Sequence, residues 1–201
     1  MNEGRWIALD GIEACGKTTQ ARLLAVQLDA VLTREPGATA VGARLRSIVL
    51  DPANGDLSDR AEALIYAADR AQHVSEVVAP ALDSGRHVVS DRSWASSLAY
   101  QGHGRGLALD EVDLINRWAM GGRVPDLVVL VRLPVEEALR RLGTERDRLE
   151  REDLAFHRRV AEGFDALAAA DPQRWVVVDG MGDAGSVSER LRTAVADRLG
   201  V

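Results

Sequence analysis

Gly11-Ile12-Glu13-Ala14-Cys15-Gly16-Lys17-Thr18 matches the pattern G-x-x-x-x-G-K-[ST], and its flanks decide the fold. Trp6-Ile7-Ala8-Leu9 before it is a short apolar run that stops at Asp10, and Ala21, Leu24, Ala25 and Leu28 after it share one helical face. In a strand-loop-helix setting, successive backbone N–H groups can turn inward onto phosphate oxygens, helped by the positive end of the helix. Gly11 and Gly16 allow that backbone path. Lys17 adds a mobile cation for the β- and γ-phosphates, and the Thr18 hydroxyl is suited to ligating Mg²⁺. All eight residues are therefore read as triphosphate-binding, with the Cys15 side chain filling space.

Outward from this loop the same alternation repeats. Ala30-Val31-Leu32-Thr33 reads as a second strand, ended by Arg34-Glu35-Pro36-Gly37. Val41, Leu45, Ile48 and Val49 show helical spacing, and a long helical stretch spans 60 to 82, where Pro80 should kink or end it before Gly85. His87-Val88-Val89-Ser90, Leu127–Leu133 and Trp175–Val178 complete five strands, each separated from the next by helix-patterned sequence. Continuous apolar strands alternating with helices predict a five-stranded parallel sheet covered on both faces.

The chain has 201 residues, enough for one domain with a continuous core, so 1–201 is read as a single unit. Its 46% apolar and 28% charged residues favour neither disorder nor a membrane protein. Residues 1 to 5 run directly into the first strand, which leaves no room for a leader, and the expected location is the cytoplasm. A single cysteine rules out an intrachain disulfide framework, and the four histidines lack ligand spacing. The net charge of −6 argues against a nucleic-acid coat protein.

Because many activities share a phosphate loop, function has to come from the other loops at the carboxyl ends of the strands. Four segments carry information: Thr33–Gly37; Tyr66–His73, which contains Ala68-Asp69-Arg70-Ala71-Gln72-His73; Asp91-Arg92 with Ser96–Gly106; and the stretch 140 to 159, with seven arginines among five acids. The motifs R-E-P-G, A-D-R-A-Q-H, D-R and A-Y-Q-G-x-G-R-G, in this order behind a phosphate loop with Glu13 at its third position, resemble the thymidylate kinase family over essentially the whole chain. The resemblance implies the fold of nucleoside monophosphate kinases with a mobile lid, here approximately 140–153. It implies transfer of the γ-phosphoryl group of ATP to dTMP with Mg²⁺, and a homodimer.

Residue by residue, the resemblance implies that Tyr66 stacks on thymine and that Arg70, one turn on, faces the same pocket. It implies that Ser97 and Gln101 border the base and that Tyr100 senses a 2′-hydroxyl. Arg34 and Arg92 are candidates for gripping the acceptor phosphate, since a planar guanidinium can hold two oxygens. Asp91, at a strand end, can organise Mg²⁺ together with Thr18. Glu13 is the candidate for orienting the acceptor. Arg146-Asp147-Arg148-Leu149-Glu150 is similar to the lid of the bacterial subtype in which lid arginines reach the transferring group; Arg148 is the first choice and Arg146 the second, beside Lys17. Asp10, Ala14-Cys15, Ala38, Arg132 and Phe164 depart from the usual family pattern. A kinase for another pyrimidine nucleotide, such as dUMP or CMP, would share loop and lid. A regulatory GTPase would need a guanine-reading N-K-x-D, which this sequence lacks.

Overall fold

A strand buried on both faces is apolar along most of its length, and Trp6–Asp10, the first strand (β1), is buried at every position, with Asp10 at its carboxyl end its one charged residue. In the computed structural model, which describes residues 4–144 and 146–201, β1 is the middle of a five-stranded sheet. Its partners are β2 (Val31–Arg34), β3 (Val88–Asp91), β4 (Leu127–Arg132) and β5 (Trp175–Asp179), in the order β2-β3-β1-β4-β5. All pairings are parallel, with Leu9 beside Asp91 on one side and beside Val129 on the other. The expected sheet is present; β2 and β3 each begin and end one residue later than the apolar runs suggest. That shift carries Arg34 and Asp91 into adjacent register at the carboxyl edge. Trp6, at the far end of β1, is fully buried, and its indole N–H donates to Ser90 Oγ at 2.9 Å.

Helices α1 (Lys17–Gln27), α2 (Ala40–Leu50), α3 (Asp59–His73), α4 (Ala79–Asp83), α5 (Trp94–Ser97), α6 (Leu109–Ala119), α7 (Val135–Arg141), α8 (Leu154–Ala170) and α9 (Ala184–Leu199) connect the strands and cover the sheet. Ser58, Asp153 and Asp183 begin α3, α8 and α9 by accepting from backbone N–H groups that have no helical partner. Of the two outcomes expected at Pro80, a kink or an end, the helical path shows an interruption rather than an end. Residues Val74–Val78 form a wide π turn in which the Ala79 N–H reaches back to Val74 O, and the chain re-enters α-helix through Pro80. A proline at the first turn of a new helical segment needs no N–H, so the break is absorbed. Gly85, at φ 78°, makes the turn that follows.

A second π segment, Leu98–Gly104, extends α5. It packs against α8 so closely that a methyl group on Gly104 would lie 2.7 Å from the Phe156 ring and one on Gly163 would lie 2.7 Å from His103. Those two glycines let α8 seat directly beneath Tyr100, whose ring meets Phe156 and Phe164 at centroid distances of 6.3 and 6.0 Å.

Candidate active site

Gly11 and Gly16 take φ values of 146° and 96°, and Ala14 lies in the left-handed region at 54°. This is the backbone path that turns amides inward around an anion, and α1 begins directly behind it at Lys17. Cys15 is buried in the core, in keeping with a side chain that fills space, and so is Ile12. Lys17 is also buried, its ammonium folded back on Ile12 O at 2.9 Å. Thr18 Oγ1 donates to Asp91 Oδ2 at 2.5 Å, while Asp91 Oδ1 is buried without a partner.

Hydroxyl and carboxylate oxygens of this kind suit Mg²⁺, which takes one or two protein oxygens and completes its shell with phosphates and water. The partnerless Asp91 oxygen fits that use. Among the described residues no group of three acidic, histidine or cysteine side chains forms a metal cage of its own.

A cavity of about 350 Å³ opens beside the loop; its lining includes the charged side chains of Glu13, Lys17, Arg34, Arg46, Asp91 and Arg92 together with Tyr66, Ser97, Tyr100 and Gln101. Arg46, on α2, was missed in the sequence because it falls within ordinary helical spacing. Its Nη1 donates to Pro36 O at 3.1 Å. Burial, and then the neighbouring Arg34 charge, lower its pKa, with Arg92 contributing in the same direction. Three guanidinium groups crowding one another at a cavity mark a place for an anion.

Arg92 is held in a backbone conformation that side chains disfavour, φ 79°, and its N–H donates to Leu9 O at 2.9 Å. Its guanidinium stands 5.0 Å over the Tyr100 ring and donates to Ser96 Oγ (3.2 Å) and Glu13 Oε1 (3.4 Å). The Tyr100 hydroxyl donates to the same Glu13 oxygen at 2.5 Å. Burial pushes the Tyr100 hydroxyl well up, so it stays a donor. For Glu13, burial favours the neutral acid, but the His157 ring, the Arg92 and Lys17 charges and the Tyr100 hydroxyl outweigh it and bring the pKa to about 2. Asp10 goes the other way: burial raises it although Ser93 and Ser96 hydroxyls donate to it at 2.6 and 2.5 Å.

Tyr66 on α3 also lines the cavity wall. Arg70 is not on that wall. It is fully buried beneath it, donating to Glu35 Oε2 (2.7 Å), Ser97 Oγ (3.0 Å), Ser93 O (3.0 Å) and the Asn116 side-chain oxygen. The expectation that it faces the base pocket is corrected to a place one layer deeper. Ser97 accepts from Arg70, which leaves its hydroxyl hydrogen free to donate. Gln101 donates its amide N–H to Glu62 Oε1 at 2.8 Å. A carboxylate only accepts, so the Gln101 carbonyl oxygen is the atom left for the cavity.

Neither lid arginine reaches this space. Arg148, the first choice, is buried: its side chain pairs with Glu62, its Nε donates to Val49 O at 2.9 Å and its backbone N–H to Leu50 O at 3.1 Å. Glu62 is fully buried and also accepts from Arg105 Nη2 at 3.1 Å. A buried acid attracts the nearest guanidinium groups, and no motif had singled out Glu62. Arg146, the second choice, is exposed: its Nε donates to Gly143 O at 3.4 Å, and its own carbonyl oxygen accepts from Arg151 Nε at 2.9 Å. From the lid segment it is Asp147, Leu149 and Glu150 that line the cavity.

The family model for thymidylate kinase matches residues 9–190. The chain is 46% identical to a thymidylate kinase of Geobacter sp. (strain M21), over 98% of this chain and 93% of that protein. It is 50% identical to a thymidylate kinase of Synechococcus sp. (strain JA-2-3B'a(2-13)), over 96% and 95%. The crystal structure of thymidylate kinase from Ehrlichia chaffeensis superposes with a TM-score of 0.81 at 26% identity, covering 96% of this chain and 99% of that one. The phosphate loop, the arginine-lined cavity and these likenesses agree: the chain belongs to the thymidylate kinase family.

Proposed function

We propose that this chain transfers the γ-phosphoryl group of ATP to dTMP, giving dTDP and ADP. The observation that carries the choice of acceptor is the pair of polarities on the cavity wall. Ser97, which accepts from Arg70, has a donor to give, and Gln101 has an acceptor that the Glu62 carboxylate behind it fixes. The O4 and N3–H of thymine ask for that donor and acceptor, with Tyr66 alongside to cover the ring. Cytosine carries an acceptor at N3 and would meet the Gln101 oxygen unpaired.

From the base pocket, the acceptor's 5′-phosphate falls toward Arg34, Arg46 and Arg92, whose mutual crowding it relieves. Lys17, released from Ile12 O, takes the transferring phosphoryl group, and the loop amides take the rest of the triphosphate. Thr18 and Asp91 are the residues that would hold Mg²⁺, which supplies charge neutralisation across the donor phosphates. Glu13 orients rather than abstracts. A carboxyl held at about 2 is a poor base, and a phosphate monoester, with its second pKa near ~6, needs none at neutral pH. It fixes Arg92 and Tyr100, and Tyr100 is assigned the discrimination against a 2′-hydroxyl.

For the lid, Arg146 becomes the stronger candidate for reaching the transition state, since Arg148 would have to abandon its buried partner. A second copy of the chain is expected to cover Leu64 on α3 and Leu114 and Trp118 on α6, which are 54%, 70% and 82% exposed on two packed helices. Among the described residues, no helix is long and apolar enough to cross a membrane, which suits a cytoplasmic enzyme. The test of the function is ADP release across dTMP, dUMP, UMP, dCMP and CMP, with and without Mg²⁺. Turnover dominated by dTMP and dependent on the metal supports it, and ATP hydrolysis indifferent to acceptor overturns it.

A further inference from the structure

Four buried side-chain atoms among the described residues have no hydrogen-bond partner, and two of them belong to one neighbouring pair: Glu13 Oε2 and His157 Nε2. His157 is on the first turn of α8, directly behind the lid segment, and is 2% exposed. Its Nδ1 lies 3.6 Å from Glu13 Oε2. The remaining walls of the gap are the apolar side chains of Ile12, Val135, Ala138, Leu139 and Leu142, and the gap has no room for water. An ionised oxygen shut away from water needs a donor, and His157 is the polar side chain offered there. A sub-ångström movement brings the two to hydrogen-bond distance.

We infer that His157 is a positioning residue for Glu13, donating its Nδ1–H to Oε2 so that Oε1 stays directed at the Tyr100 hydroxyl and Arg92. The geometry explains why it can do so. The ring is fixed by its own helix, which the close contacts at Gly104 and Gly163 seat against the segment bearing Tyr100. The neighbouring Phe156 ring meets it edge-on at 5.7 Å. Both oxygens of Glu13 are then engaged, one from each side. The carboxylate cannot rotate away from Arg92, and the direction of the acceptor phosphate is preserved through phosphoryl transfer. Nothing in the motif reading pointed to this histidine. This inference rests on the reading of Glu13 as the group that orients Arg92 and Tyr100.

The test uses His157→Leu, His157→Asn, Glu13→Gln and the double variant His157→Leu/Glu13→Gln. Asparagine keeps an N–H near the Nδ1 position; leucine does not. His157→Leu is expected to lower kcat by about tenfold to a hundredfold, the kinetic equivalent of one charge-assisted hydrogen bond, with KM for dTMP and ATP within about threefold. His157→Asn should recover most of the loss, and the double variant should be no slower than Glu13→Gln alone. A histidine that merely packs would affect thermal stability and leave kcat unchanged, or would lose as much as asparagine as it does as leucine; either result overturns the inference. If Glu13→Gln is fully active, the reading of Glu13 itself fails, whatever the histidine variants do. If Glu13→Gln is slow and His157→Leu is not, only the inference fails. Should the leucine variant not fold, the wild-type enzyme still decides: long-range ¹H–¹⁵N couplings of labelled histidine, with His157 assigned by its absence from the asparagine variant, must show a proton on Nδ1. A neutral ring protonated at Nε2 alone refutes the inference.

Discussion

Replacing Glu62 with glutamine should weaken the enzyme's choice of pyrimidine, although Glu62 does not line the cavity. Its carboxylate receives the Gln101 amide at 2.8 Å, Arg105 at 3.1 Å and Arg148 more closely still. As an acceptor only, it compels Gln101 to show its carbonyl oxygen to the base. With dCMP that oxygen faces the N3 lone pair, and one buried mismatch costs about 1–3 kcal/mol, a discrimination of roughly 5- to 150-fold from this position alone. Ser97 adds less, because a hydroxyl can turn to accept. A glutamine at 62 can offer either an oxygen or an N–H₂, so Gln101 becomes free to flip, and the dTMP-to-dCMP ratio of kcat/KM should fall by about tenfold. The same change leaves Arg105 and Arg148 with a neutral acceptor and should cost about 2–3 kcal/mol of stability. That loss cancels in the ratio, since both substrates meet the same folded fraction. The dTMP-to-dUMP ratio is the internal control: both bases carry the same imide edge, so it should not move. A dTMP-to-dCMP ratio unchanged in Glu62→Gln would show that Gln101 polarity does not read the base.

Arg146→Ala should slow transfer by at least tenfold with little effect on melting. Arg148→Ala should lower stability by about 2 kcal/mol, since Glu62 keeps Arg105 and Gln101, and stopped-flow turnover beside thermal melts separates the two. Ala14→Gly should stabilise the protein by about 0.5 kcal/mol in urea melts: relief of the left-handed strain exceeds the added freedom of the unfolded chain. Trp118→Glu should convert a dimer to monomers in sedimentation, with the monomer's melting temperature then independent of protein concentration. The depressed pKa of Glu13 contributes stability that is complete above its ordinary value of 4.5 and lost as pH falls through about 2. The acid limb of kcat/KM should therefore lie near ~6, from the acceptor phosphate, and stay there in Glu13→Gln.

What could be read from the sequence followed from how locally each feature is encoded. The five strands and the phosphate loop are contiguous, burial on both faces leaves β1 and β4 a nearly unbroken apolar signature, and even the half-exposed edge strands β2 and β5 are short apolar runs, so they were legible to within a residue or two. The path through Pro80 was not, because a π turn is a response to tertiary packing and has no period of its own. The same holds for Leu98–Gly104, which reads as a glycine-rich loop and is wound because α8 supports it.

Among site residues, motif position identified which side chains gather at the carboxyl edge but not which layer each occupies. Arg70 and Arg148 are arginines in the expected segments, yet both are drawn inward by buried carboxylates, Glu35 and Glu62, that are distant in sequence. A guanidinium goes where an otherwise unpaired carboxylate is buried, because leaving that charge alone is more unfavourable than any exposed contact can offset. The consequence bears on function: Arg70 donates to Ser97 and Arg148 anchors the lid from behind, while Arg34, Arg46 and Arg92, crowded together at the cavity with Glu13 the carboxylate against Arg92, are the ones placed to take a further anion.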